Sequence, residues 1–300
     1  MSRGAVFFVL GAVLMVSVGA GCLGGAPAAP ASSTPVYSLD GNGALVISGT
    51  EPVYAEYPLE TTGQDGNVTV SEVVLYVGGV DVHALCAAPA DPVAGVVLIP
   101  GAGVKKEGHR GRIISYAEKG IAAIVLDVRG NGGATAGHGG GLQEDYRRFV
   151  QGKTPQWWQT IGDIITARRM MSERYDVPVY LVGSSNGGMQ GAVAAAVDPG
   201  AAGYFGVSTA GIGAPGPETD PSVAAFLRSI DPGPSIGMIA PRPVWLFHAK
   251  ADSVISYEAG EALFEEAGEP KTFTAFTGGH GITGEVDAAV TEAILTLNTP

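Results

Sequence analysis

The feature that most constrains this chain is an alternation of short apolar runs with segments of helical spacing. From residue 94 onward the runs are AGVVLIPG, IAAIVLDV, VPVYLVG, AGYFGVSTA, RPVWLFHA and KTFTAF. Between and after them lie GHRGRIISYAEK, WWQTIGDIITARRMMSERYD, GGMQGAVAAAVD, YEAGEALFEEAG and GEVDAAVTEAILTLN. Runs that are apolar throughout suit strands covered on both faces. Their repetition with helices implies parallel strands joined by right-handed crossovers. Ahead of them, VTVSEVVLYV and VDVHALCAAP, joined by Gly78-Gly79, read as an antiparallel hairpin. The expected fold is α/β: a mostly parallel sheet of about eight strands, helices on both faces and an N-terminal antiparallel hairpin. The loop-rich stretch 211–240 is too short for a large cap domain, so an open pocket is expected.

Composition allows such a core, with 46% hydrophobic and 15% charged residues. Glycine is abundant, at 46 residues, but follows no repeat, which fits a loop-rich globular chain. The net charge of −12 argues against nucleic acid, whose phosphates need basic patches. Residues 1–22 read as a signal peptide: Arg3, an apolar stretch Ala5–Val18, then GAGC at Gly19–Cys22. Small residues before a cysteine resemble a lipobox, with Cys22 as the lipid-carrying first residue of the mature chain. An ordinary cleavage site at Val18–Ala20 and an uncleaved anchor are the other readings. Export follows, either to the outer face of the cell membrane as a lipoprotein or as a secreted protein. Residues 23–36, rich in Ala, Pro, Gly and Ser without charge, read as a flexible tether. Residues 37–66 stay ambiguous, an N-terminal extension with short β-like pieces, and 67–298 read as the α/β domain. Asn67–Thr69 forms a glycosylation sequon that matters only in a host that glycosylates exported proteins. The second of two cysteines, Cys86, reads as a small buried hydrophobe without a disulfide partner.

The chemistry-bearing stretch is VYLVGSSNGGMQG, Val179–Gly191. In so glycine-rich a chain a G-x-S-x-G match says little by itself. Here Gly183-Ser184-Ser185-Asn186-Gly187 closes a strand and opens a helix, the setting a nucleophile elbow requires. Gly183 and Gly187 allow the crowded turn, and the helix that follows aims its N-terminal N–H groups at a reacting oxygen. Ser185 is the candidate nucleophile and Ser184 a packed neighbour. A serine needs a base, and the base an orienting carboxylate. Asp252 lies just past RPVWLFHA and His280 just past KTFTAF, so both are expected at the sheet edge where ligands bind.

On these residues the chain resembles an α/β-hydrolase of the serine-nucleophile type over 67–298. LIPGAG resembles that fold's oxyanion segment, with Pro100-Gly101 where HG is commoner. IAPRPVWLFHAKADSVIS resembles the approach to the acid and FTGGHGI the histidine loop. The resemblance implies an acyl hydrolase that cleaves a carboxylic ester through a Ser185-His280-Asp252 triad, with backbone N–H groups of Asn186 and Ala102 holding the oxyanion. It implies no cofactor, a small-molecule or peptide acyl substrate, no nucleic acid partner, and membrane contact through an N-terminal lipid or signal anchor only. A peptidase of the same fold and a non-catalytic surface binding lipoprotein are the competing functions.

Several residues carry second readings. Glu218 and Asp220 are alternative acids. His248 and His83 read as structural, while His109 and His138 sit in loops that border the pocket; no metal site is expected. VRGNGGATAGHGGG, Val128–Gly141, fails as a phosphate loop and reads as a mobile loop at the pocket mouth. Trp157 and Trp158 read as helix-face core, with an acyl-binding wall as the alternative.

Overall fold

A computed structural model describes residues 31–63 and 66–299. The signal peptide, Cys22 and the tether as far as Pro30 lie outside the described residues. β1 (Val36–Leu39) and β2 (Leu45–Ser48) pair antiparallel as a small separate sheet. The main sheet holds β3 (Tyr54–Thr62), β4 (Val68–Val77), β5 (Val80–Pro89), β6 (Ala94–Ile99), β7 (Ile121–Leu126), β8 (Val179–Ser184), β9 (Gly203–Val207), β10 (Val244–Ala249) and β11 (Lys271–Phe276). The helices are α1 (Arg110–Glu118), α2 (Gly141–Val150), α3 (Gln156–Tyr175), α4 (Asn186–Val197), α5 (Pro221–Ile230), α6 (Pro232–Ile236), α7 (Tyr257–Glu266) and α8 (Gly284–Leu297).

The strand order is β11-β10-β9-β8-β6-β7-β5-β4-β3. β6 to β11 pair in parallel, and β3, β4 and β5 form an antiparallel wing that joins at β7. The hairpin expected at Gly78-Gly79 is β4–β5. The sheet exceeds the expected eight strands by one, the edge strand β3. Its sequence, YAEYPLETT, is mostly exposed and shifts register between Pro58 and Glu60. Proline and charge on an edge strand blunt further pairing, and they also hide the alternation that marks a strand.

The parallel strands β6 to β10 are buried on both faces, β11 at the edge only in part, and neighbouring residues divide between two cores. Val97, Ile99 and Leu181 pack with Ile161, Ile164 and Val193 from α3 and α4. Val96, Leu98, Tyr180 and Val182 pack with Ile113 and Tyr116 of α1 and with Val286, Val290 and Ile294 of α8. The chain leaves β6 toward β7 and later returns to β8 on the other side of β6. That reversal opens a crevice at the C-terminal ends of β6 and β8, where open α/β sheets bind ligands.

Two buried ion pairs fasten α3 to its surroundings. Arg129, just after β7, forks onto Asp163 at 2.6 and 2.8 Å and also donates to the Val77 carbonyl at 3.2 Å. Arg168 forks onto Asp198, at the end of α4, at 2.7 and 3.0 Å. Trp158 is core as expected: it is buried, and its indole N–H donates to Ser229 Oγ at 3.0 Å. Cys86 is buried too, and burial raises its thiol pKa to about 11. Truncating one partner of a buried pair leaves the other charge uncompensated, so Asp163→Ala is expected to cost about 3–5 kcal/mol of stability. Chemical denaturation measures it; a loss below about 1 kcal/mol would mean that water replaces the carboxylate.

Candidate active site

The turn from β8 into α4 is held under strain. Ser185 has φ 55° and ψ −126°, a left-handed backbone rare for a residue with a side chain. The packing around it enforces that conformation. A Cβ on Gly183 would run into the Gly187 carbonyl, and one on Gly187 would run into the Ile99 carbonyl at the end of β6. Ser185 N–H donates to Val207 O at 3.0 Å, and the Thr209 hydroxyl donates to Ser185 O at 3.1 Å. The result presents a half-exposed Ser185 while Ser184 stays buried.

No side chain caps the N-terminus of α4, which leaves its first N–H groups, beginning at Asn186, without a side-chain acceptor. The loop after β6 runs beside the serine: a Cβ on Gly101 would stand 3.3 Å from Ser185 Cβ. Ala102 follows in that loop and is exposed. Asn131 holds the loop in place, donating from Nδ2 to Gly101 O at 3.0 Å and to Val104 O at 3.2 Å. Asp127, fully buried at the end of β7, accepts from Lys106 N and from Ala134 N, both at 2.9 Å.

Asp252 and His280 meet although 28 residues separate them. His280 Nδ1 lies 2.9 Å from Asp252 Oδ2 and 3.1 Å from Oδ1. Burial of the Asp252 side chain works to raise its pKa. Hydrogen bonds from the N–H groups of Ile255 and Val254, from His280 and from Ser208 outweigh it and bring the carboxyl to about 2. His248, buried behind the pair, bonds Ile255 O at 3.0 Å and stands 3.6 Å from Asp252. Of the alternative acids, Asp220 caps α5 through Ser222 N at 2.8 Å, and no hydrogen bond joins Glu218 to His280.

Ser185, Ser184, His280, Ala102 and Val254 line one cavity of about 430 Å³. Ser185 Oγ and His280 share it without a direct hydrogen bond. His109 and Arg112 line the same cavity, as the loop reading of His109 expected. Burial, aided by the Arg112 charge, lowers the His109 pKa to about 4 and keeps it neutral. His138 and Trp157 line a second cavity, which shares Ala102 with the first and is walled in part by the loop 128–141. That loop is pinned rather than free-standing: Gln156 Nε2 donates to Arg129 O and His138 O, and Gln156 Oε1 accepts from His138 N.

Sequence reasoning missed the groups that steer the loops. Arg112 on α1 shares its Nε–H between the two carboxylate oxygens of Asp287 of α8, at 2.8 and 2.9 Å, and donates from Nη2 to Ile282 O at 3.1 Å, two residues past His280. Ser208, left-handed at the end of β9, accepts from Gly281 N at 3.1 Å. No motif signals these residues; only the fold brings them to the site. Asp252 carries a testable pH signature. Its folded pKa, about 2, lies below the unfolded value of about 3.9. Its stabilisation is therefore complete above about pH 4 and lost as pH falls toward 2. Denaturation across that range is expected to show a shallower loss of stability in Asp252→Asn than in the parent; equal slopes would contradict the hydrogen bonds described.

No family model matches the chain, and no curated protein matches it by sequence. Solved structures do. An acetyl xylan esterase from Paenibacillus sp. R4 superposes with a TM-score of 0.68 at 18% identity, over 82% of this chain and 89% of that one. Acetyl xylan esterase 1 from Thermoanaerobacterium sp. JW/SL YS485 gives 0.65 at 17% identity, over 83% and 89%. A cold-adapted esterase from an Arctic intertidal metagenomic library gives 0.58 at 20% identity, over 79% and 98%. With the sheet order and the strand–turn–helix at Ser185, these likenesses identify the architecture: the chain has the α/β-hydrolase fold.

Proposed function

We propose that the chain is a serine hydrolase that cleaves a carboxylic ester through an acyl-enzyme. Ser185 is the nucleophile, His280 the base and Asp252 the carboxylate that orients it. One observation carries this reading: the Asp252–His280 pair opens onto the same cavity as a serine held at φ 55° on a helix N-terminus. The esterases among the structures of like fold favour an ester over an amide.

Ser185 Oγ bonds to the carbonyl carbon while His280 Nε2 takes its proton. The carbonyl electron pair moves onto oxygen, held by the N–H groups of Asn186 and Ala102. Collapse expels the alkoxide, which receives the proton from the imidazolium and leaves as an alcohol. Water, losing a proton to His280, then attacks the acyl-enzyme; collapse breaks the bond to Ser185 Oγ, which takes that proton back from the imidazolium as the acid leaves. Asp252, ionised throughout, bonds Nδ1–H and fixes the tautomer that leaves Nε2 free to accept.

The reading extends to location. Residues 1–22 direct export, with Cys22 as the lipidated start of the mature chain and 23–36 as the tether to the catalytic body. Cys22→Ala is expected to abolish incorporation of labelled palmitate in an expressing bacterium; unchanged labelling would remove the lipoprotein reading.

A fluorophosphonate probe is expected to label Ser185 in the purified protein, and Ser185→Ala to lose both the label and at least about 10³-fold in kcat/KM toward p-nitrophenyl acyl esters. Cleavage of short peptides with no ester turnover would make the protein a peptidase. A folded, unlabelled protein indifferent to Ser185→Ala would be a non-catalytic binder.

A further inference from the structure

The smaller cavity, about 240 Å³, lies beyond Ala102 and Asn186. Its walls include His138, Asp145, Trp157 and Gln190. Two of these hold buried polar atoms with no partner in the protein, Nε1 of Trp157 and Oε1 of Gln190, while His138 leaves Nδ1 unmet and sets Nε2 3.2 Å from Asp145 Oδ1. Trp157 is 8% exposed and Gln190 6%. Unpaired buried donors and acceptors destabilise a fold, and native structures contain few of them. Neighbouring side chains do find partners: Trp158 bonds Ser229, and Gln156 uses both ends of its amide. Among the described residues one other such atom, Nε2 of His109, belongs to the larger cavity, and the rest belong to residues that wall the smaller one.

The chemistry proposed above tells which part of an ester would reach it, and the inference rests on that reading. His280 returns a proton to the departing oxygen, so the alcohol side of the substrate lies in the larger cavity with His280. The acyl side extends the other way, past the N–H groups of Asn186 and Ala102, and both residues also wall the smaller cavity. We propose that this smaller cavity is the acyl subsite and that it takes a short, neutral, hydroxyl-bearing acyl group.

A hydroxyl both donates and accepts, which matches a cavity whose walls hold an unpaired indole N–H and an unpaired amide oxygen. The Asp145 carboxylate in the same wall disfavours an anionic acyl group. Its oxygens are engaged, Oδ1 by Gln156 N at 2.5 Å and Oδ2 by Trp157 N at 3.0 Å, so the charge stays fixed in place. The volume compares with the roughly 30 Å³ share of one liquid water. A few carbons with one hydroxyl fit; a long lipid chain does not.

The test compares kcat/KM for p-nitrophenyl 3-hydroxybutyrate, p-nitrophenyl butyrate and the p-nitrophenyl monoester of succinate. The hydroxylated ester is expected to exceed butyrate by about tenfold and the anionic one to fall below it. Trp157→Phe and Gln190→Leu are each expected to cut the hydroxybutyrate-to-butyrate ratio by about three- to tenfold. The ratio cancels the fraction of active enzyme, so partial misfolding of a variant does not affect it. Equal turnover of the hydroxylated and plain esters, or a ratio that neither variant changes, overturns the subsite and leaves the hydrolase reading standing. No turnover of any of the three overturns that reading and the subsite with it.

Discussion

The structure turns on the close approach of one helix to one strand end. α4 starts so near the end of β6 that a Cβ on Gly187 would meet the Ile99 carbonyl, and Gly183 lies as close to the Gly187 carbonyl. With side chains at either position the helix would move outward and the turn would relax. Ser185 would then lose the left-handed backbone that presents its hydroxyl beside the loop after β6. The site is thus built by backbone contact. The two large cores on either side of the sheet supply the stability against which such strain is held.

Electrostatic order is layered over that frame. α4 begins uncapped, so its partial positive charge faces the crevice. Asp252 is kept ionised by hydrogen bonds that together outweigh its burial, those from the Ile255 and Val254 N–H groups ahead of those from His280 and Ser208. A carboxylate held by its own loop leaves the imidazole free to gain and lose a proton. Arg112 acts at one remove: its pairing with Asp287 joins α1 to α8, and its bond to Ile282 O holds the chain just past the histidine.

Much of this was legible in the sequence because it is local. Runs such as AGVVLIP and VPVYLVG are apolar at every position and occur at helix-length spacing, so burial on both faces and parallel pairing follow. The meeting of Asp252 with His280 follows from position alone, since each stands just past a parallel strand. β3 was not legible: with Tyr54, Glu56, Pro58 and Glu60 it carries edge-strand chemistry in place of alternation. Ser208, Asn131 and Arg112 were illegible for another reason. Each acts on a loop distant in sequence, and no spacing rule links Arg112 to Ile282 or Ser208 to Gly281.

The glycine-rich loop after β7 shows how composition misleads when contacts are unknown. VRGNGGATAGHGGG reads as a mobile segment, yet its glycines admit close packing: a Cβ on Gly133 would collide with the Asp127 carboxyl. Asp127 uses that access to bond Ala134 N while also bonding Lys106 N in the loop after β6. One buried carboxylate therefore ties together the segment that carries Ala102 and the segment that carries His138. The two walls of the smaller cavity are thereby fixed relative to each other by the protein's own hydrogen bonds, the preorganisation that lowers the cost of ordering a site.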